Sequence, residues 1–155
     1  MSDSRSGVVD GRRVAIVDGL RTPFAKSGTA LKDATTLQLA EAVVTELLER
    51  SGLDPASVDR VIYGSVVQDV ASPNIAREVV LTTRLPDTTD AYSVTRACAT
   101  STQSFVDGAK AILMGEADIV LTGGADSLSK PPVLFTDEFV EVMQHAQAAN
   151  LLPDA

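Results

Sequence analysis

The sequence predicts an α/β domain built on a mixed, mostly parallel sheet with helices on both faces. Two observations carry this. Short runs rich in β-branched residues alternate with stretches of helical period in the order β-α-β-α-β-α-β, an alternation that places helices between successive strands of one sheet. The 155 residues, 45% hydrophobic and 22% charged, also suit one domain with a real core.

Met1 to Arg12 is rich in Ser, Asp, Gly and Arg and reads as a flexible N-terminus ahead of a domain over residues 13–132. Val14 to Val17, an apolar run between Arg13 and Asp18-Gly19, predicts a buried first strand. Arg21-Thr22-Pro23-Phe24 then opens a loop. From Thr36 the period is helical: Leu39, Val43 and Leu47 stand four apart beside Ala40, Val44 and Leu48. Thr35 with Gln38 forms a capping box, and Gly52 stops this helix. Asp54-Pro55 is a turn, and Val58 to Val67 has the alternation of a second strand. Asn74 caps a helix running to about Arg84 with Ile75, Val79 and Val80 buried. Pro86-Asp87 breaks the chain. Ala91 to Thr95 is a third strand, followed by a helix from Thr100 to Met114 with Phe105, Ala109, Ile112 and Leu113 on its packed side. Ile119 to Leu121 is a fourth strand ending in Gly123-Gly124, and Glu138 to Leu152 is a further amphipathic segment in which Phe139, Val142 and Met143 are available for packing.

Composition excludes several functions. Acidic residues number 21 against 13 basic ones, a net charge of −8, so neither nucleic acid nor an anionic membrane finds the basic footprint it needs. Trp is absent, which removes the stacking platform of single-strand binders. No apolar window approaches the roughly 18 residues of a membrane span, and no secretory signal is present, so a cytoplasmic protein is expected. One cysteine allows no intramolecular disulfide.

That cysteine, Cys98, falls between the third strand and the helix after it. Backbone N–H groups and the dipole at a helix N-terminus favour a thiolate and can also hold an oxyanion. A lone cysteine in an α/β core is equally a small hydrophobe, and composition does not separate these readings. Gly123-Gly124 is likewise either a close-packed stretch beside a site or a turn at a strand end. No metal ligand set is assigned, and no Gly-x-Gly-x-x-Gly follows the first strand, so a dinucleotide site is not supported.

Five motifs together go further. Arg21 to Phe24, Gly64-Ser-Val-Val-Gln68, Pro73-Asn-Ile-Ala-Arg-Glu78, Ala97-Cys-Ala-Thr-Ser101 and Thr122-Gly-Gly-Ala-Asp-Ser127 resemble, in order and spacing, the N-terminal part of the thiolases. The likeness runs from about Arg13 to Ser129 and is greatest to the 3-ketoacyl-CoA thiolases of fatty-acid β-oxidation. Ketoacyl synthases share the stretch around Cys98, whereas Arg21 to Phe24 and Asn74 to Arg77 favour thiolase. The resemblance implies half of the layered thiolase fold and an acyl-CoA acyltransferase in which Cys98 is the nucleophile that becomes acylated. Coenzyme A and acyl-CoA are implied as substrates rather than as bound cofactors, and residues binding them are not assigned. Arg21 and Arg77 read as structural.

The resemblance also implies a histidine, a second cysteine and an Asn-Glu-Ala-Phe-type segment, all in a C-terminal half that this sequence does not include. Its one histidine, His145, matches no family motif and is expected at the surface. Residues 133–155 read as the start of an insertion that contributes to the coenzyme A pocket. A homo-oligomer or a complementing chain is therefore expected, and a scaffold subunit working with a partner stands as the alternative to a catalytic domain.

Overall fold

The computed structural model describes residue 11 and residues 13–149. Its elements follow the chain as α1 (Thr36–Ser51), β1 (Arg60–Gly64), α2 (Ile75–Thr82), β2 (Asp90–Val94), α3 (Thr100–Met114), β3 (Val120–Gly124) and α4 (Asp137–Ala148). The sheet has the order β2-β1-β3, with both pairings parallel. Register is even throughout: Arg60 faces Asp90 and Val120, and Gly64 faces Val94 and Gly124. The three strands therefore end level with one another.

Local chemistry sets most boundaries. At α1 the Gln38 amide donates to Thr35 Oγ1 at 3.2 Å and the Thr35 amide donates to Gln38 Oε1 at 2.9 Å, the reciprocal box that the sequence predicts. Gly52 closes the helix at φ 63°. Asn74 caps α2 by accepting from the Arg77 amide at 3.2 Å. A turn of 3₁₀ helix, Pro55–Ser57, occupies the predicted turn after Asp54.

The sheet is covered on both sides, by different chemistry. Ala40, Val44 and Leu48 of α1 and Ile75, Ala76, Val79 and Val80 of α2 form one cluster with Val61, Tyr63 and Leu121. Each large side chain buried there contributes on the order of 1.5–3 kcal/mol. Alternation along the strands turns Ile62, Gly64, Val120, Thr122 and Gly124 to the opposite face, which α3 covers. A Cβ added to Gly108 would come within 2.6 Å of Thr122 Cγ2, so α3 lies almost against the strands.

Four expectations are corrected. Val14 to Val17 forms no strand, and Ile16 and Val17 are exposed. A strand needs a ladder partner, and the run is separated from β3 by a cavity of about 290 Å³ that both line. The second strand is only Arg60–Gly64, because beyond it the amides of Val66 and Val67 donate to Asp126 instead of to a neighbouring strand. The helix after Asn74 ends at Thr82. In α3 the buried residues are Thr100, Ser104, Gly108 and Ala111, while Phe105 is exposed, since close approach to the sheet admits only small side chains. Helix α4 buries none of its residues, and Phe139 stacks on Phe135 with 4.7 Å between ring centroids. The predicted flexible segment lies, apart from Gly11, outside the described residues, as do Leu151 and Leu152.

Candidate active site

Level parallel strands bring their following loops to one end of the sheet, where α/β proteins gather functional groups. Three of the five motifs meet there. The loop after β1 is fixed to the loop after β3 by Asp126, whose Oδ1 accepts from Ser65 Oγ at 2.9 Å and from the Val66 and Val67 amides at 2.8 Å each. The N-terminus of α3 rests on the glycines that end β1 and β3. A Cβ on Gly64 would stand 2.1 Å from Thr100 Cγ2 and 2.7 Å from the Val94 carbonyl oxygen, and one on Gly124 would stand 2.4 Å from Ser101 Oγ. Only bare backbone permits this approach.

Cys98 is carried in the turn between β2 and α3 and is exposed. That excludes the reading of a small buried hydrophobe. Ala97, immediately before it, has φ 45°, the left-handed region that a residue with a Cβ rarely occupies. Helix α3 has no side-chain cap at Ala99. Instead the Thr100 hydroxyl reaches backwards, accepting from the Arg96 amide at 2.8 Å and donating to the Ala97 carbonyl at 2.7 Å. One turn further, the wholly buried Ser104 hydroxyl lies 2.8 Å from the Ser101 carbonyl and 2.9 Å from that of Gly123 in β3. The Arg96 guanidinium donates to Gln103 on the same helix.

The Pro73 to Glu78 motif stands beside this turn rather than in it. Ser93 Oγ donates to Asn74 Oδ1 at 2.9 Å and accepts from the Ala76 amide, which ties the start of α2 to β2. Arg77 donates to the Asp87 carbonyl at 2.7 Å, the structural role expected of it. Arg21 lies 4.6 Å over the Phe24 ring and donates to the Thr22 carbonyl. Its loop walls a cavity of about 520 Å³ with Leu39, Val43, Tyr63 and Ser101. Burial pushes the Tyr63 hydroxyl up to about 12. Gly123 is close-packed, since a Cβ there would enter the Tyr63 ring at 2.3 Å. His145 is exposed on α4, with Nδ1 2.8 Å from the Glu141 carbonyl.

Proteins of known family resemble this chain. The thiolase N-terminal domain family matches residues 14–152. The chain belongs to the thiolase family. It is 56% identical over 123 residues to the 3-ketoacyl-CoA thiolase of Shewanella pealeana and 55% identical to that of Shewanella halifaxensis, in each case over 79% of this chain and 28% of the relative. The chain thus spans under a third of the length of the curated thiolases it matches. Among solved structures it resembles the acetyl-CoA acetyltransferase of Bacillus anthracis, with TM-score 0.76 and 32% identity, covering 79% of this chain and 31% of the other. It also resembles an Ascaris suum thiolase crystallised with coenzyme A, with TM-score 0.73 and 27% identity, covering 76% and 31%. The α/β fold is that of an N-terminal thiolase half.

Sequence reasoning quoted Thr100, Ser104 and Asp126 only as parts of motifs or helices and gave them no task. The helical spacing of Thr100, Ser104, Gly108 and Ala111 was the available signal, because helix hydroxyls among small residues can bond nearby carbonyls where the helix packs closely.

Proposed function

We propose that this chain is the nucleophile-bearing part of a 3-ketoacyl-CoA thiolase, working in cleavage by coenzyme A or in the reverse condensation. The observation that carries the reading is the exposed Cys98 in the turn leading into α3, in a chain 56% identical to a curated 3-ketoacyl-CoA thiolase over 123 residues. In this reading the Cys98 thiolate attacks the ketone carbon of a 3-ketoacyl-CoA, the bond from that carbon to its neighbour breaks so that acetyl-CoA leaves with a proton on its methyl carbon, and the coenzyme A thiol then takes the acyl group and frees the Cys98 sulfur. Coenzyme A and acyl-CoA are substrates, the setting is fatty-acid β-oxidation, and the compartment is the cytoplasm. Residues 13–132 form the catalytic domain and residues 133–155 begin the insertion. Acid–base groups come from a partner chain or from further sequence, since among the described residues the only imidazole is that of the exposed His145.

Association is part of the same proposal. Leu128, Val133, Leu134, Phe135 and Val142 are all more than half exposed, an apolar surface of the kind that marks interaction sites. Sedimentation at micromolar concentration is expected to show a dimer or larger species, and a monomer would overturn this part.

Iodoacetamide alkylation tests the nucleophile. The folded 155-residue chain is expected to react faster than the same chain unfolded in urea, where no fixed turn presents the sulfur. Equal or slower alkylation of the folded chain would overturn the assignment of Cys98.

A further inference from the structure

We propose that Thr100 is a positioning residue that holds the turn presenting Cys98, an inference that rests on the reading of Cys98 as nucleophile. Three features of the turn lead to it. Ala97 is held at φ 45°, a backbone state that a residue with a Cβ leaves unless its surroundings fix it. The Arg96 amide and the Ala97 carbonyl, on either side of that strained bond rotation, both close on one atom, Thr100 Oγ1, at 2.8 and 2.7 Å. Thr100 itself cannot shift, for it is 4% exposed and its methyl sits over the bare backbone of Gly64.

The hydroxyl is used completely in this arrangement, its proton on the Ala97 carbonyl and a lone pair on the Arg96 amide. Ala99 supplies no side-chain cap; the Ala99 and Thr100 amides donate to the Arg96 and Ala97 carbonyls at 3.0 and 3.1 Å, and the Thr100 hydroxyl adds the bond that also engages the Arg96 amide. The methyl and the hydroxyl have separate tasks. The methyl seats α3 on β1, and the hydroxyl transmits that seat to residues 96–97 and so to Cys98. Thr100→Val keeps the seat and removes the transmission, while Thr100→Ser keeps the transmission.

The experiment compares alkylation of Cys98 by iodoacetamide in the folded and the urea-unfolded 155-residue chain, for the unsubstituted protein, Thr100→Val and Thr100→Ser, with amide hydrogen exchange as the check on the fold. Thr100→Val is expected to lower the folded-to-unfolded rate ratio by about tenfold, as loss of one charge-free hydrogen-bond pair allows. It should free the Arg96 amide to exchange while the amides of α3 stay protected. Thr100→Ser, which keeps the hydroxyl but not the methyl, should restore protection of the Arg96 amide and most of the ratio. A Thr100→Val chain with protected helices and an unchanged ratio overturns the positioning role and leaves the nucleophile intact. An unsubstituted chain that reacts no faster folded than unfolded overturns the nucleophile, and the positioning role with it. Should Thr100→Val fail to fold, the unsubstituted chain decides: an Arg96 amide exchanging as fast as an unprotected one overturns the clamp, and a protected one with a preserved ratio in Thr100→Ser supports it.

Discussion

The two faces of this sheet are packed by opposite means. On one, α1 and α2 lay Val44, Leu48, Val79 and Val80 against Val61, Tyr63 and Leu121, and the contact is broad and aliphatic. On the other, α3 offers Thr100, Ser104, Gly108 and Ala111 and approaches until Gly64, Gly108 and Gly124 leave no room for a methyl group. The aliphatic face supplies burial, which is non-directional and tolerates small shifts. The small-residue face supplies position, through hydroxyl bonds to Gly123 and Ala97 that hold only at one distance. Cys98 stands in the turn that leads into the helix of the second face, and the role proposed for it asks for placement more than for bulk.

Substitutions that exchange the two kinds of packing break the comparison most directly. Leu48→Ala, 3% exposed in α1, should cost about 2–5 kcal/mol in thermal or urea unfolding. It should leave Cys98 alkylation in the folded protein unchanged. Gly64→Ala should cost less, about 1–3 kcal/mol, as overpacking does. It should nevertheless alter Cys98 reactivity, because the new methyl meets Thr100 and the Val94 backbone and tilts the start of α3. If Leu48→Ala changed alkylation, or Gly64→Ala did not, the division of labour between the faces would be wrong.

The same division decides what could be read from the sequence. Periodicity reports large apolar side chains, so the α1 stripe and the α2 face of Ile75, Val79 and Val80 were legible, with their caps at Thr35 and Asn74. It misassigned α3, where Phe105 is exposed and Ile112 only partly buried, and the closest contact with the strands is made by residues nearly without bulk. Val14 to Val17 had the composition of a strand but no ladder partner among the described residues, and composition does not contain the partner. Cys98 is a candidate through its motif and its place before a helix. Asp126 and Thr100 were not, since their tasks are bonds to backbone amides 59 and 60 residues away, with the Ser65 hydroxyl 61 away, in one case and to backbone atoms three to four residues away in the other. Neither pattern leaves a spacing signature.

The smallest effect is expected at the opposite end of α3, and it sharpens the comparison by loosening that helix where Cys98 is not. There Asp59 Oδ2 accepts from the Asp118 and Ile119 amides at 2.8 and 3.0 Å, fixing the turn by which α3 returns to β3. The Ile119 amide, then that of Asp118, holds the carboxyl below its ordinary value of 3.8. A slight desolvation opposes them and the neighbouring Arg60 assists. Because the folded chain binds this proton less readily, the unfolded chain takes up more protons as pH falls, and stability declines with it. The contribution is therefore complete above the ordinary carboxylate value and disappears as pH drops through the lower folded one. Asp59→Asn keeps an acceptor but loses the charge, so it should melt somewhat below the unsubstituted protein near pH 7, with the gap closing as pH falls below the ordinary carboxylate range. Solvent screening of this exposed side chain keeps the gap small. Cys98 alkylation should be the same in both proteins near pH 7. A melting difference that did not depend on pH would remove the carboxylate from the account, and altered alkylation would mean that the placement of Cys98 extends along the whole of α3 rather than residing in its first turn.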